Sequence, residues 1–77
     1  NLDLRGKRAD VAVSELDKLL DKALMEGKER VEVVHGRGTG ALRREVHEFL
    51  RRSPSVAEFN LATEEHGGDG MTAVELK

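Results

Sequence analysis

Residues 31–40 read Val-Glu-Val-Val-His-Gly-Arg-Gly-Thr-Gly, and this stretch decides how the chain folds. The β-branched run Arg30–Val34 predicts a strand, and a helical pattern of apolar residues begins near Ala41. The three alternating glycines in between allow a sharp turn and bring backbone N–H groups close to a bound group. The N-terminus of the following helix adds N–H donors and the positive end of its dipole. Such a junction predicts an anion site, most commonly for a phosphate.

The flanking sequence predicts two helices and four strands in the order β-α-β-α-β-β. Apolar residues recur at helical spacing from Ala9 to Glu26, and Gly27 follows where a helix favours a left-handed residue. A second helix, with the stripe Leu42, Val46, Phe49 and Leu50, ends before Pro54. The predicted strands are Leu2-Asp3-Leu4, Arg30–Val34, Val56 to Ala62 with Ala57, Phe59 and Leu61 on one face, and Met71 to Leu76 with Thr72, Val74 and Leu76 on one side.

This order predicts an α/β fold of the α+β two-layer sandwich type. A strand–helix–strand unit crosses over right-handed, so the first two strands should be parallel. Both helices should cover one face of a mixed four-stranded sheet. Alternation then places Asp3 and Arg5 on the uncovered face, close to the glycine loop, either as part of a site or as a surface ion pair.

The composition indicates one small domain over residues 1–77. A core of this size supplies only about 3–5 kcal/mol of net stability, and without cysteine no disulfide or thiolate metal site can add to it. The absence of cysteine fits a cytoplasmic protein, and no apolar run predicts a membrane span. Because the chain begins with Asn1 rather than Met, we interpret it as a domain of a longer protein, monomeric when isolated.

The net charge of −2 hides an uneven distribution. Residues 1–52 carry 12 Lys and Arg against 10 Asp and Glu, a net of +2, whereas residues 53–77 carry one Lys against five acids, a net of −4. Basic residues cluster around the glycine loop and the second helix, and local clustering matters more than net charge for contact with a phosphate backbone. Such a cluster is either a functional patch or a solvated helix face.

The loop does not match three better-known glycine motifs. Gly36-x-Gly38-x-x-Ala41 fits a dinucleotide fingerprint, but it follows the second strand and the domain is too small for a doubly wound fold. A Walker loop requires Gly-Lys-Ser/Thr where the chain has Gly40-Ala41, and a lipase-type oxyanion loop requires a Gly-x-Ser-x-Gly elbow that is absent from the sequence.

The three histidines have different predicted roles. His35 is the best candidate for a general acid or base, or for direct phosphate contact, because imidazole titrates near neutrality; alternatively it only caps the strand or bonds to the backbone. His47 is predicted to lie, inert, on the polar side of the second helix. His66, beside Glu64, Glu65 and Asp69, belongs either to a divalent-ion site or to an acidic glycine turn.

Three motifs, in matching order and spacing, resemble the Smr (small MutS-related) domain, and most closely the Smr domain at the C-terminus of bacterial MutS paralogues. The motifs cover nearly the whole chain and are Leu2-Asp3-Leu4-Arg5-Gly6, then His35-Gly36-Arg37-Gly38-Thr39-Gly40 with Leu42-Arg43, then Gly67-Gly68-Asp69-Gly70-Met71-Thr72-Ala73-Val74-Glu75-Leu76. The resemblance implies a fold like the C-terminal domain of translation initiation factor three, in agreement with the predicted order of elements.

The resemblance also implies a nicking endonuclease that acts on DNA or, in some members, on RNA, including messenger RNA in stalled ribosomes. The family's Leu-Asp-x-Arg motif falls on Asp3 and Arg5, and its His-Gly-x-Gly motif falls on residues 35–38. The implied partners are nucleic acid and the ribosome, in DNA repair, recombination control or ribosome rescue. A divalent ion (Mg²⁺ or Mn²⁺) is an expected cofactor with unassigned ligands, and ATP is expected on a separate domain of the parent protein.

Three hypotheses follow. The first is a sequence-nonspecific nicking endonuclease, and the second is a docking module for nucleic acid or the ribosome without chemistry of its own. The third, a structural interaction domain, requires an exposed apolar patch, which the sequence does not clearly show. In the first, Asp3 or His35 activates water, and the residues alone do not decide between them. The predicted site comprises catalytic Asp3, Arg5 and His35, phosphate-binding Gly36, Arg37, Gly38, Thr39, Gly40 and Arg43, and nucleic-acid-binding Lys7, Arg8 and Arg44.

Overall fold

The computed structural model describes residues 2–37, 40–62 and 70–77, which form the predicted succession of elements. The bounds lie within two residues of the predicted ones. The elements are β1 (Leu2–Asp3), α1 (Ala9–Met25), β2 (Arg30–Val34), α2 (Ala41–Arg52), β3 (Val56–Leu61) and β4 (Met71–Leu76).

The four strands form one mixed sheet in the order β1-β2-β4-β3. β1 is parallel to β2, with Leu2 opposite Val33, as the crossover rule predicts. β4 is antiparallel to both of its neighbours, β2 and β3. The predicted α+β fold with a mixed sheet is therefore confirmed.

A single apolar core lies between the sheet and the two helices. Leu4 is fully buried while Asp3 is exposed, so the alternation predicted for the first strand is confirmed. The core residues are Leu4, Ala12, Leu16, Leu20, Ala23, Val31, Val33, Val46, Leu50, Val56, Val74 and Leu76. Neither helix of the described residues has the length and apolar character needed to cross a membrane.

Helix α1 ends at Met25, and Gly27 follows as the predicted left-handed residue. Gly27 has a φ of +73°, its N–H donates to the Leu24 carbonyl, and the Lys28 N–H donates to the Ala23 carbonyl. This pair of bonds is the Schellman arrangement, which satisfies carbonyls that the last turn leaves open. The turn directs the chain into β2.

The predicted inward face of β3 is wrong at its start. Val56 pairs with Leu76 and Glu58 pairs with Glu75, so Ala57 is an extra residue in a β-bulge. The bulge turns Val56 into the core and leaves Ala57 exposed. Phe59 packs against the core as predicted.

Candidate functional site

The loops that follow β1 and β2 meet at one edge of the sheet and enclose a cleft. Because the two strands are parallel, their C-terminal ends lie side by side, which is where ligands bind in open sheets of this kind. The cleft has a volume of about 320 Å³ and is lined by Gly6, Lys7, Ala9, His35, Gly36, Arg37, Gly40, Ala41, Leu42 and Arg43. Most of the predicted phosphate-binding residues therefore surround one space.

At two positions of the glycine loop, Gly36 and Gly40, the backbone conformation requires glycine. Gly36 has a φ of +79° and Gly40 a φ of +84°, which is the left-handed region that other residues rarely adopt. Gly40 is the N-cap of α2 and has no side chain with which to cap the helix, and the first turn carries Arg43 in place of an acidic residue. The positive end of the helix dipole thus faces the cleft with added positive charge. Gly38 and Thr39, also predicted to bind phosphate, lie outside the described residues.

Asp3 and Arg5 form a closed ion pair on the uncovered face of the sheet. The Arg5 side chain donates from Nε to Asp3 Oδ1 (3.0 Å) and from Nη2 to Oδ2 (2.8 Å), and the Arg5 backbone N–H donates to Oδ1 (3.0 Å). These hydrogen bonds, the side-chain ones first, lower the pKa of Asp3 from 3.8 to about 2. In return, the hydrogen bond to Asp3 raises the pKa of Arg5. Asp3 is therefore a fixed carboxylate at neutral pH.

The Asp3–Arg5 pair lies against the glycine loop, as the sequence predicts. A Cβ atom built on Gly36 would stand 3.3 Å from Arg5 Cγ and 3.6 Å from Arg5 Cδ. Arg5 and Gly36 also line a shallow hollow together with Val34, Arg37, Gly70 and Met71. Arg5 of the first sequence motif thus forms one continuous surface with Gly36 and Arg37 of the second.

His35 is buried beneath the loop, with only 5% of its surface exposed. Its Nδ1 lies 3.0 Å from the carbonyl oxygen of Gly36, and its Nε2 lies 2.7 Å from Thr72 Oγ1. The backbone N–H groups of His35 and Gly36 both donate to the Gly70 carbonyl. This geometry matches the alternative in which the histidine bonds to the backbone, and it adds a buried partner, Thr72, that the sequence did not identify.

The prediction that His47 lies on the polar side of α2 is wrong. His47 is half-buried, its Nε2 lies 2.8 Å from Thr72 Oγ1, and its ring centroid is 5.0 Å from that of Phe59 and 5.8 Å from that of His35. Burial, followed by the charges of His35, Arg43 and Arg51, lowers the pKa of His47. The signal that could have found it is Thr72, since a hydroxyl on a predicted core face requires a polar partner.

Of the three predicted nucleic-acid-binding cations, Lys7 lines the cleft, whereas Arg8 and Arg44 are exposed. Lys7 pairs with Glu15 at 3.1 Å and Arg8 pairs with Asp10 at 3.4 Å. The Arg8–Asp10 pair is highly exposed, and pairs of that kind contribute little to stability, whereas the Lys7–Glu15 pair is half-buried. Arg44 is exposed and, with Arg43, lines a second hollow of about 600 Å³ at the start of α2; the remaining lining residues are Gly40 and Ala41.

Within residues 2–37, 40–62 and 70–77, no group of three His, Asp or Glu side chains could hold a metal ion. The segment with Glu64, Glu65, His66 and Asp69, for which the sequence leaves a divalent-ion site or an acidic glycine turn as alternatives, lies outside the described residues. The carboxylate of Asp3 is paired with Arg5, whose side chain lies against Gly36 of the glycine loop.

Comparisons with known proteins agree with the fold and with the motifs. The Smr domain family model matches residues 2–77. Curated relatives named Endonuclease MutS2 include those of Maridesulfovibrio salexigens, 67% identical over 75 residues (97% of this chain), and Solidesulfovibrio magneticus, 62% identical over 76 residues (99% of this chain). The chain spans only 10% of the length of each of these two relatives.

Two solved structures are similar to this one. The Smr domain of Thermus thermophilus MutS2 has a TM-score of 0.96 and 41% identity, with 99% of this chain and 95% of that chain covered. YdaL, a stand-alone small MutS-related protein from Escherichia coli, has a TM-score of 0.84 at 23% identity, covers 99% of this chain and 63% of its own, and supports the fold alone. From the family match, the identities and the shared fold together, the chain belongs to the Smr domain family.

Proposed function

We propose that this domain binds a nucleic-acid phosphodiester at the cleft between β1 and β2 and nicks the strand there. The observation that carries the proposal is the contact between the two motifs, where Arg5 lies against Gly36 and brings an ionised carboxylate beside a glycine loop. Relatives named Endonuclease MutS2 support the same reaction class.

In this proposal the cations act in two groups. Arg5, which lies against the loop, and Arg37, which belongs to it, neutralise negative charge that develops on the phosphate in the transition state. Preorganised donors act most strongly where such charge appears. The cations farther along the rim contact neighbouring phosphates, which orient the strand without reading its sequence; these are Lys7, Arg8, Arg43 and Arg44.

We assign contact with the attacking water to Asp3 rather than to His35. Both ring nitrogens of His35 are bonded to protein atoms and the ring is shielded from solvent. Asp3 is exposed, and because three of its roughly four acceptor positions are used by Arg5, one remains for a water molecule. With a pKa of about 2 this carboxylate is a weak base, so it orients the water more than it deprotonates it.

The described residues could hold a divalent ion only through one protein carboxylate, with substrate and water as the other ligands. Mg²⁺ in phosphoryl-transfer sites is often held by one or two carboxylates together with substrate phosphates and water. Asp3 would be that carboxylate, and the bound ion would supply Lewis-acid stabilisation of the phosphate oxygens. ATP, expected on a separate domain of a longer protein, remains a prediction.

The test is a nicking assay on supercoiled plasmid and on structured RNA, with Mg²⁺, with Mn²⁺ and with a chelator. We expect the wild-type chain to nick at least one substrate and Asp3→Asn to lose about 10²-fold or more of the rate, a typical loss for a group that acts on the attacking nucleophile. Glu26→Gln is the matched control, because Glu26 is also a carboxylate in an exposed ion pair (with Lys28) but lies after α1. Wild-type chain that leaves both substrates intact under every condition contradicts the proposal.

A docking module is the second candidate, and the shielding of His35 together with the low pKa of Asp3 favours it. Neither group is well suited to remove a proton near pH 7, whereas a module that only binds needs none. Docking predicts that affinity falls steeply as salt rises and that Asp3→Asn binds as the wild type does, with no cleavage by either. The nicking rate of the wild type therefore separates the two candidates.

A further inference from the structure

The hydroxyl of Thr72 joins two histidines inside the protein. Thr72 is fully buried on β4, and its Oγ1 lies 2.7 Å from His35 Nε2 and 2.8 Å from His47 Nε2. The two histidines come from different elements, the loop after β2 and the middle of α2. The hydroxyl thus connects the sheet, the helix and the glycine loop at one point.

Hydrogen positions along this chain follow from counting donors. A carbonyl oxygen can only accept, so the bond to Gly36 requires that Nδ1 of His35 carry the hydrogen. Nε2 of a neutral His35 is then an acceptor, and the Thr72 hydroxyl must donate to it. The hydroxyl hydrogen is thereby used, so Thr72 Oγ1 accepts from His47, whose Nε2 must carry a hydrogen. Every bond in the chain then has one donor and one acceptor.

The last acceptor in this series of hydrogen bonds is the carbonyl of Gly36, the residue that shapes the loop. Gly36 donates its N–H to the Gly70 carbonyl, accepts at its own carbonyl from His35, and has a φ of +79° between the two bonds. Gly36 is also the residue against which the Arg5 stem lies. A change in the tautomer of His35 would remove the donor to the Gly36 carbonyl and release one of its two bonds.

We propose that Thr72 and His47 are positioning residues that fix His35 as the Nδ1–H tautomer and so hold Gly36, and with it the glycine loop and Arg5, in place for a phosphate. The effect of this arrangement on ligand binding rests on the proposed function, whereas the assignment of the His35 tautomer rests on the geometry alone. Thr72 and His47 touch no ligand in this proposal; they act through His35.

The test measures the side-chain nitrogen shifts of the chain by long-range ¹H–¹⁵N correlation at about pH 8, above the ordinary histidine pKa of about 6.5. We expect opposite tautomers in the wild type, with Nδ1 protonated in His35 and Nε2 protonated in His47. Thr72→Val keeps the branched shape but lacks the hydroxyl, so we expect His35 to lose its single tautomer and the Gly36 amide signal to shift. Thr72→Ser keeps the hydroxyl and should restore both.

A wild-type His35 in the Nε2–H form overturns the proposal, and this measurement decides even if Thr72→Val fails to fold. The same variants are titrated with a short DNA duplex; affinity should fall in Thr72→Val and recover in Thr72→Ser. If Thr72→Val loses the single tautomer of His35 but binds the duplex with unchanged affinity, the part of the proposal in which this tautomer holds the loop is overturned. A wild-type chain that binds no nucleic acid refutes the proposed function, while the nitrogen shifts still decide the tautomers.

Discussion

At Gly36 one residue meets a backbone requirement and a packing requirement together. Its φ of +79° disfavours any side chain, and the Arg5 stem fills the space that a Cβ would enter. Gly27 has a similar φ of +73°, but nothing lies within 4 Å of the place where its Cβ would be. Substitutions at the two glycines therefore distinguish the effect of backbone strain, present at both, from the effect of the contact with Arg5, present only at Gly36.

We predict that Gly36→Ala and Gly27→Ala each lower the free energy of unfolding by about 1–2 kcal/mol, the cost of a left-handed conformation for a residue with a Cβ. Only Gly36→Ala should also impair nicking or DNA binding, because Arg5 has to move by a few tenths of an ångström or more. Urea unfolding and the nicking assay measure the two effects. Normal nicking by Gly36→Ala would show that the position of Arg5 against the loop is unimportant.

At the scale of elements, α2 carries arginines at both of its ends. Arg43 lies in the first turn and lines the cleft, whereas Arg52 is the last residue of the helix and its Nε donates to the Glu48 carbonyl. At 1.5 Å per residue, the two are about 13 Å apart along the helix axis. Replacing either arginine by alanine removes one positive charge, so the two variants compare the position of the lost charge.

We predict that Arg43→Ala weakens DNA binding and makes its salt dependence shallower by about one unit of log K against log salt, as expected for the loss of one phosphate contact. Arg52→Ala should leave the slope unchanged. Fluorescence anisotropy titrations at several salt concentrations measure both. Equal losses in the two variants would mean that binding follows net charge rather than the cleft at the start of α2.

Elements with a strong local pattern could be predicted from the sequence, and those set by contacts between elements could not. Arg30–Val34 and Gly27 were predicted where they occur because β-branched residues and a left-handed glycine carry local signals. The bulge at Ala57 has no such signal, since it arises from the pairing of β3 with β4. The local pattern of β3 therefore predicts a plain alternating strand.

The same division applies to the candidate site. The adjacency of Asp3 and Arg5 to the glycine loop was predictable, because alternation and parallel pairing follow from general rules. The position of His47 was not, because it depends on a hydroxyl of β4 on the facing sheet. The surroundings of His35 likewise depend on His47 of α2 and Thr72 of β4, which lie 12 and 37 residues farther along the sequence.

For the molecule as a whole, stability depends on one small core beneath the site. Leu16 and Leu24 both lie on α1, but Leu16 is fully buried whereas Leu24 is 37% exposed. A core in a chain of this length supplies about 3–5 kcal/mol, so a single large cavity can remove most of it. The cleft rests on this core, because Leu42, which lines the cleft, packs against it.

We predict that Leu16→Ala lowers the free energy of unfolding by about 2–5 kcal/mol and leaves much of the chain unfolded at physiological temperature, since the cost of the cavity approaches the whole stability. Leu24→Ala makes the same change in helix propensity and should cost well under half as much, because its side chain is already partly in water. Thermal denaturation followed by circular dichroism compares the two melting curves. Similar melting temperatures in both variants would contradict a single shared core, whereas loss of the Leu16→Ala fold together with its DNA binding would show that the site depends on this core.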